Sequence, residues 1–278
     1  MTVFYSDVLG LAATPALHLL SRLAYRLTRC AWSPWKNILI RLFVWKYRVD
    51  LRLAEKTRPG DYDNFNDFFT RAMKSETRPI ARSGAVVSPV DGYINAAGTL
   101  DNERLLQAKG KHYSLVELFN GDRQLADCFR NGSFITFYLS PRDYHRVHLP
   151  ADGELRAMAY VPGRLLSVNP GNVRRIDKLY ARNERVITVF DSAIGAIAVI
   201  FVGAIFVGSI ATVWHGEVAP AGAREYRRWD YDPAVSFARG DEIGRFNMGS
   251  TVILLTQEDR ISRVYSDRRV VMGERITA

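Results

Sequence analysis

The chain of 278 residues has only two cysteines, Cys30 and Cys128, far apart in sequence. They offer no disulfide framework, and a chain so poor in cysteine points to a reducing compartment. Neither HExxH nor a paired CxxC occurs, so His145 and His148, three residues apart, lack the company a zinc site needs. No Gly-x-Ser-x-Gly elbow is present, which removes the usual signature of an α/β-type serine hydrolase. Long apolar runs are scarce as well. Val8 to Ser21 is uncharged for only fourteen residues, too short to cross a bilayer as a helix. Ser192 to Trp214 is long enough, but Gly195, Gly203 and Gly208 and its Val/Ile content predict two buried strands with a bend. There is no leader pattern with a small-residue cleavage site, no repeat and no low-complexity tract.

Positive charge is plentiful and uneven. The net charge is +9, and residues 1–60 hold ten Lys/Arg against three Asp/Glu, together with Trp32, Trp35 and Trp45 of the five tryptophans. Leu11 to Leu27 reads as a helix with His18, Arg22 and Arg26 on one side and leucines over the rest. Ser33-Pro34 predicts a helix start, with Ser33 as cap and Pro34 first, opening a second basic and apolar helix to about Tyr47. Such helices lie in a membrane surface and are drawn to anionic lipid; the alternative is packing on the protein itself or a dimer contact. Nucleic acid fits poorly, because the basic residues alternate with large aliphatics. Residues 1–60 therefore read as a helical membrane-associating segment, Asp61 to Lys74 as a short capped helix, and 61–278 as one catalytic domain. Pro and Gly recur at strand-length intervals from Ser88 to Gly249, giving an α+β, mainly β fold with sandwich or barrel-like packing.

The chemistry gathers in three segments. Gly249-Ser250 stands directly before the apolar run Val252-Ile253-Leu254-Leu255 and reads as a scissile bond. Glycine admits strained backbone and close approach to its carbonyl, and Ser250 brings a hydroxyl one bond away. The plain alternative is a small-residue turn entering a strand. Asp91 sits at a Pro/Gly corner in Ser88-Pro89-Val90-Asp91-Gly92, and His145 and His148 lie in the segment 138–150. Carboxylate, imidazole and hydroxyl are thus present in the order Asp, His, Ser, the parts needed to activate a hydroxyl. A serine hydrolase of that order and a non-catalytic membrane binder are the competing readings.

Ser-Pro-x-Asp-Gly at 88–92, Tyr-Leu-Ser-Pro-Arg-Asp-Tyr-His-Arg-Val-His-x-Pro at 138–150 and Gly-Arg-Phe-x-x-Gly-Ser-Thr-Val-Ile at 244–253 resemble the signature of phosphatidylserine decarboxylase proenzymes. Matches continue at Pro162-Gly163, Ser167-Val168-Asn169, Ala181 to Val186 and Val207 to Trp214, so the resemblance runs from about Phe65 to Leu255. Met248 stands where the family has leucine, a swap of similar volume.

The resemblance implies a pyruvoyl-dependent carboxy-lyase of phospholipid biosynthesis. It gives Asp91, His148 and Ser250 as the charge relay of an autocatalytic cut at Gly249-Ser250, leaving a β chain 1–249 and an α chain 250–278 that begins with a pyruvoyl group made from Ser250. Phosphatidylserine would join that group as a Schiff base, lose CO₂ and leave as phosphatidylethanolamine, with no metal and no pyridoxal phosphate. His145 is the candidate proton donor and Tyr138 a further one; Ser167, in a Gly/Pro/Asn loop, is a candidate substrate ligand or a plain turn serine. The expected setting is peripheral, on the cytoplasmic side of the cell membrane, as an α/β heterodimer with possible further dimerisation.

Overall fold

The computed structural model describes residues 23–82, 86–100, 103–108, 110–204, 209–218, 225–247, 250–261 and 263–277. Most of the expected helix over Leu11–Leu27 lies outside these; residues 23–28 are helical. Helix α1, Ser33–Tyr47, runs as expected, but Trp32 rather than Ser33 is its N-cap and makes no side-chain cap bond. Proline in the first turn loses an N–H that has no helical partner there, so the turn forms one residue early at no cost. The capped helix expected over Asp61–Lys74 contracts to α2, Phe65–Phe69, where Asn64 accepts from Asp67 N at 3.0 Å. It stops because Thr70 turns its hydroxyl back to Asn66 O, and the chain leaves to bridge Met73 with Ala54. Short helices α3 (Leu115–Leu118), α4 (Arg123–Phe129), α5 (Pro170–Arg175) and α6 (Leu179–Arg182) decorate the rest.

The strands are β1 (Gly92–Thr99), β2 (Arg104–Ala108), β3 (Lys111–Ser114), β4 (Ser133–Leu139), β5 (Arg146–His148), β6 (Gly153–Val161) and β7 (Arg185–Ser192). They continue with β8 (Ile197–Val202), β9 (Ile210–Thr212), β10 (Gly216–Glu217), β11 (Arg227–Phe237), β12 (Glu242–Phe246), β13 (Ser250–Thr256) and β14 (Arg268–Val270). Eight form an antiparallel sheet in the order β11-β6-β7-β8-β13-β4-β1-β14, and four a smaller one, β10-β9-β12-β5. The fold is α+β and mainly β, and the apolar stretch 192–214 contains β8 and β9 among its described residues, as strands. Every residue of β8 and β13 is buried, because both lie mid-sheet with both faces covered; that is why they read as unbroken apolar runs.

The small sheet packs on the face that carries Phe201, whose ring meets Phe246 of β12 at 5.4 Å. Gly244 permits this approach: a Cβ there would stand 2.5 Å from Ala211 O and 3.1 Å from the Phe201 ring. A second, aromatic cluster joins α1 to the segment after it. Ile40 and Phe43 pack on Tyr62, Phe65, Phe68 and Phe69, with Phe43 lying 5.2 to 6.0 Å from the last three rings.

Candidate active site

One row of pairing crosses the large sheet: Val161 to Arg185, Val202, Thr251, Tyr138, Tyr93 and Arg269. The sheet ends one step beyond it. In the next row stand Gly203, Ser250, Leu139 and Gly92; Asp91 directly precedes Gly92, the segment after Leu139 carries His145 and leads into β5 with His148, and the loop after Val161 carries Ser167. Side chains alternate along a strand, so Ser250 shares its face with Val252 and Phe201 and looks toward the small sheet. Tyr138 pairs with Thr251 and takes the opposite face, away from Ser250. Ser250 is buried and its Oγ has no hydrogen-bond partner among the described residues. Gly249, the expected other side of the scissile bond, lies outside the described residues.

The histidine loop is held tightly from within. Asp143 accepts from Ser140 N and Oγ at 2.7 and 2.6 Å and from Arg269 at 2.5 Å, while Arg71 donates to the carbonyls of Arg142 and Asp143. His145 is fully buried, stacks on Phe69 at 4.1 Å and donates from Nε2 to Ser140 O at 3.1 Å, one residue past the Leu139 that faces Ser250. Its Nδ1 has no partner among the described residues. Burial, reinforced by the Arg71 charge, pushes its pKa down to about 3, so the ring is neutral. The His145 carbonyl accepts from Phe246 N, tying the loop to the end of β12.

His148 is also buried, which lowers its pKa. It donates from Nδ1 to Gly240 O at 2.7 Å and accepts at Nε2 from the Tyr144 hydroxyl at 2.9 Å. Its backbone N–H reaches Pro89 O at 2.9 Å, which sets it against the Asp91 corner. Asp91 itself pairs with Arg78, from Nε at 2.8 Å and Nη2 at 2.5 Å, and accepts from Met272 N at 2.8 Å. The structure thus places Asp91, His148 and Ser250 toward one sheet end, with Asp91 and His148 bonded to other groups and Ser250 Oγ bonded to none among the described residues. Ser167 lies in a loop clamped by Asn183, which bonds Leu166 N and O and Gly203 O, so the loop borders the row containing Ser250. The Ser167 hydroxyl accepts from Asn169. Sequence reasoning missed Arg78 and Tyr144, the partners of the acid and the imidazole, and the buried acid Glu184. Glu184 lay in view in Ala181-Arg182-Asn183-Glu184-Arg185-Val186, a charge leading into an apolar strand.

Known proteins carry similar sequences. A family model described as phosphatidylserine decarboxylase matches residues 65–278, and one described as PSD matches 17–48. The phosphatidylserine decarboxylase proenzyme of Nitrosococcus oceani is 51% identical over 261 residues, 92% of this chain and 85% of the relative. That of Methylococcus capsulatus is 52% identical over 241 residues, covering 86% and 83%. That of Azotobacter vinelandii is 48% identical over 263 residues, covering 92% and 91%.

Proposed function

The chain belongs to the phosphatidylserine decarboxylase family, and on that premise we propose that it cuts itself between Gly249 and Ser250 and works with a pyruvoyl group on residue 250. The chain is a carboxy-lyase of phospholipid biosynthesis that makes phosphatidylethanolamine from phosphatidylserine. One observation carries the proposal: Ser250 Oγ is buried without a partner on the face toward the small sheet. Leaving a buried hydroxyl unpaired costs about 1–3 kcal/mol, a burden that makes sense for a group to be consumed as a nucleophile. A pyruvoyl carbonyl at this place supplies a sink for the electrons left when CO₂ departs. Leu139, Val252 and Phe201, all on that face and buried, keep water from it.

Asp91 and His148 serve the cut. His148 exchanges the Tyr144 hydroxyl for that of Ser250 and takes its proton, and Asp91 favours the charged imidazole from across the Pro89 contact. His145 borders the later reaction as a neutral ring, and the Ser167 loop beside Gly203 offers donors to the substrate headgroup. Tyr138, on the far face, supports the sheet rather than the reaction. A second division of the histidines is favoured by the bond from His145 to Ser140 O and its unpartnered Nδ1: here His145 takes the Ser250 proton.

After the cut, residues 250–278 stay bound to 1–249 as an α/β pair, because β13 lies between β4 and β8. The segment 1–60 serves membrane association, with 61–278 as the catalytic domain. Support comes from α1, whose outer face exposes Trp32, Ile38, Leu42 and Trp45 beside Arg41 and Lys46. No helix among the described residues is long and apolar enough to cross a membrane. The exposed apolar and basic outer face of α1 supports the reading of a peripheral enzyme, which we place on the cytoplasmic side of the cell membrane.

The test is Ser250→Ala. It should run as one full-length chain on a denaturing gel and make no phosphatidylethanolamine, whereas the unaltered chain runs as two. A cleaved Ser250→Ala product would overturn the reading.

A further inference from the structure

Glu184 is a buried acid that the account above leaves without a task. It precedes β7, is 6% exposed, and its Oε2 accepts from the Tyr160 hydroxyl at 2.9 Å. Tyr160 pairs with Val186, and Val186 with Phe201, so the Tyr160 hydroxyl and the carboxyl it holds lie on the face that Ser250 shares. Gly203 N donates to Glu184 O at 2.8 Å, and the register of β8 with β13, continued by one residue, sets Gly203 opposite Ser250. Glu184 and Ser250 thus flank Gly203 in one row, with backbones about 10 Å apart at two strand spacings. A Cβ on Gly203 would lie 3.7 Å from Glu184 Oε1 and 3.8 Å from Leu165 Cδ2, so the carboxyl, with Leu165 beside it, overhangs a residue that has no side chain of its own between Glu184 and residue 250.

We propose that Glu184 is the general acid of the decarboxylation, giving its carboxyl proton to the substrate carbon that has just lost CO₂. This rests on residue 250 being the reactive centre. The step balances: the C–C bond to the carboxylate breaks, its electron pair forms a C–H bond with the Glu184 proton, and solvent returns one proton to Glu184 per turnover. Burial holds the Glu184 pKa up to about 7, with the Tyr160 hydrogen bond acting in the opposite sense. The acid form is therefore at hand near neutral pH, where general acids work best. His145, neutral with a pKa near 3, holds no such proton to give. Arg164 and Arg182 adjoin Glu184 through the backbone, the Arg164 carbonyl accepting from Glu184 N at 2.9 Å, and burial rather than a neighbouring charge leads the shift. Arg185 binds the carbonyls of Glu117, Leu118, Ala181 and Asn183, Arg227 of β11 acts on Tyr160, and Val202, Gly203, Ser250 and Thr251 on the facing strands carry no charge.

The test compares Glu184→Gln and Tyr160→Phe in the full chain by gel, by decarboxylation against pH and by infrared titration of the protonated carboxyl band. Glu184→Gln should still yield two chains, lose the band that titrates near pH 7, and drop kcat by about 10²- to 10⁴-fold with KM little changed. In the unaltered enzyme kcat falls as pH rises through about 7, since the acid form is needed. Tyr160→Phe removes a bond that favours the carboxylate, so this fall and the infrared titration should both move to higher pH. The proposal is overturned if Glu184→Gln decarboxylates within about threefold of normal with the same alkaline fall. If Glu184→Gln fails to fold, an unmoved fall in Tyr160→Phe overturns it instead. The infrared titration reads Glu184 in the uncut chain too, so an absent band sinks this proposal, whereas an uncut chain that keeps the band sinks the reading of residue 250.

Discussion

The Arg78–Asp91 pair shows what the site asks of single residues. Both side chains are buried to about nine-tenths, and the carboxylate spends both oxygens on the guanidinium and one also on Met272 N. Removing one partner strands a buried charge, so Arg78→Ala should lower stability by about 3–5 kcal/mol in denaturant unfolding and slow the cut. The histidines make a pH prediction of definite sign. His145 and His148 have lowered pKa values in the folded chain, so the unfolded chain binds more protons below the ordinary histidine pKa of 6.5. Stability should therefore be full above 6.5 and fall as pH drops toward 3, and thermal unfolding of His145→Gln should show a shallower fall than the unaltered chain. Identical slopes would contradict the buried, neutral ring. On cutting, His148→Ala should stall and His145→Ala should still give two chains; a gel with the reverse outcome would establish the second division of roles. Residue types and spacing made Asp91, His145, His148 and Ser250 legible in the sequence, since chemistry of this kind needs those groups. Arg78, Tyr144 and Glu184 were not, because nothing local to an arginine thirteen residues ahead of Asp91 says that its fork will close on that carboxylate.

Among the elements, α1 works on both of its faces. Its outer side exposes four large apolar residues, Trp45 by 79%, and its inner side covers Phe65, Phe68 and Phe69. Trp32→Ala with Trp45→Ala should weaken binding to anionic vesicles in flotation while leaving the cut intact; unchanged flotation would count against an interfacial role. Deleting residues 1–48 is a different experiment. It uncovers three phenylalanines, each worth about 1.5–3 kcal/mol when buried, and Phe69 stacks on His145. The deletion should therefore destabilise the chain as well as detach it, measured as a lower unfolding midpoint. The sequence shows α1 as amphipathic but cannot show that its inner face covers Phe69, which in turn stacks on His145, because neither contact is local in the chain. Strands 192–214 were readable from Gly, Val and Ile content. The true length of α2 was not, since Thr70 ends it through a back-bond that pattern does not reveal.

On the scale of the whole molecule, an antiparallel sheet carries the chemistry at one end, and the strand that begins with Ser250 lies in its middle. This arrangement lets a chain be cut and stay together: the break falls at the edge of β13, while seven residues of pairing to β4 and six to β8 hold the small piece in register. The central claim is that residue 250 becomes a carbonyl by self-cleavage, and intact mass spectrometry of the purified, unaltered chain tests it most directly. The account predicts two species, 1–249 and 250–278, the smaller with a pyruvoyl group in place of an amino-terminal serine. A single full-length species, or a small chain beginning with an ordinary Ser250, would contradict it.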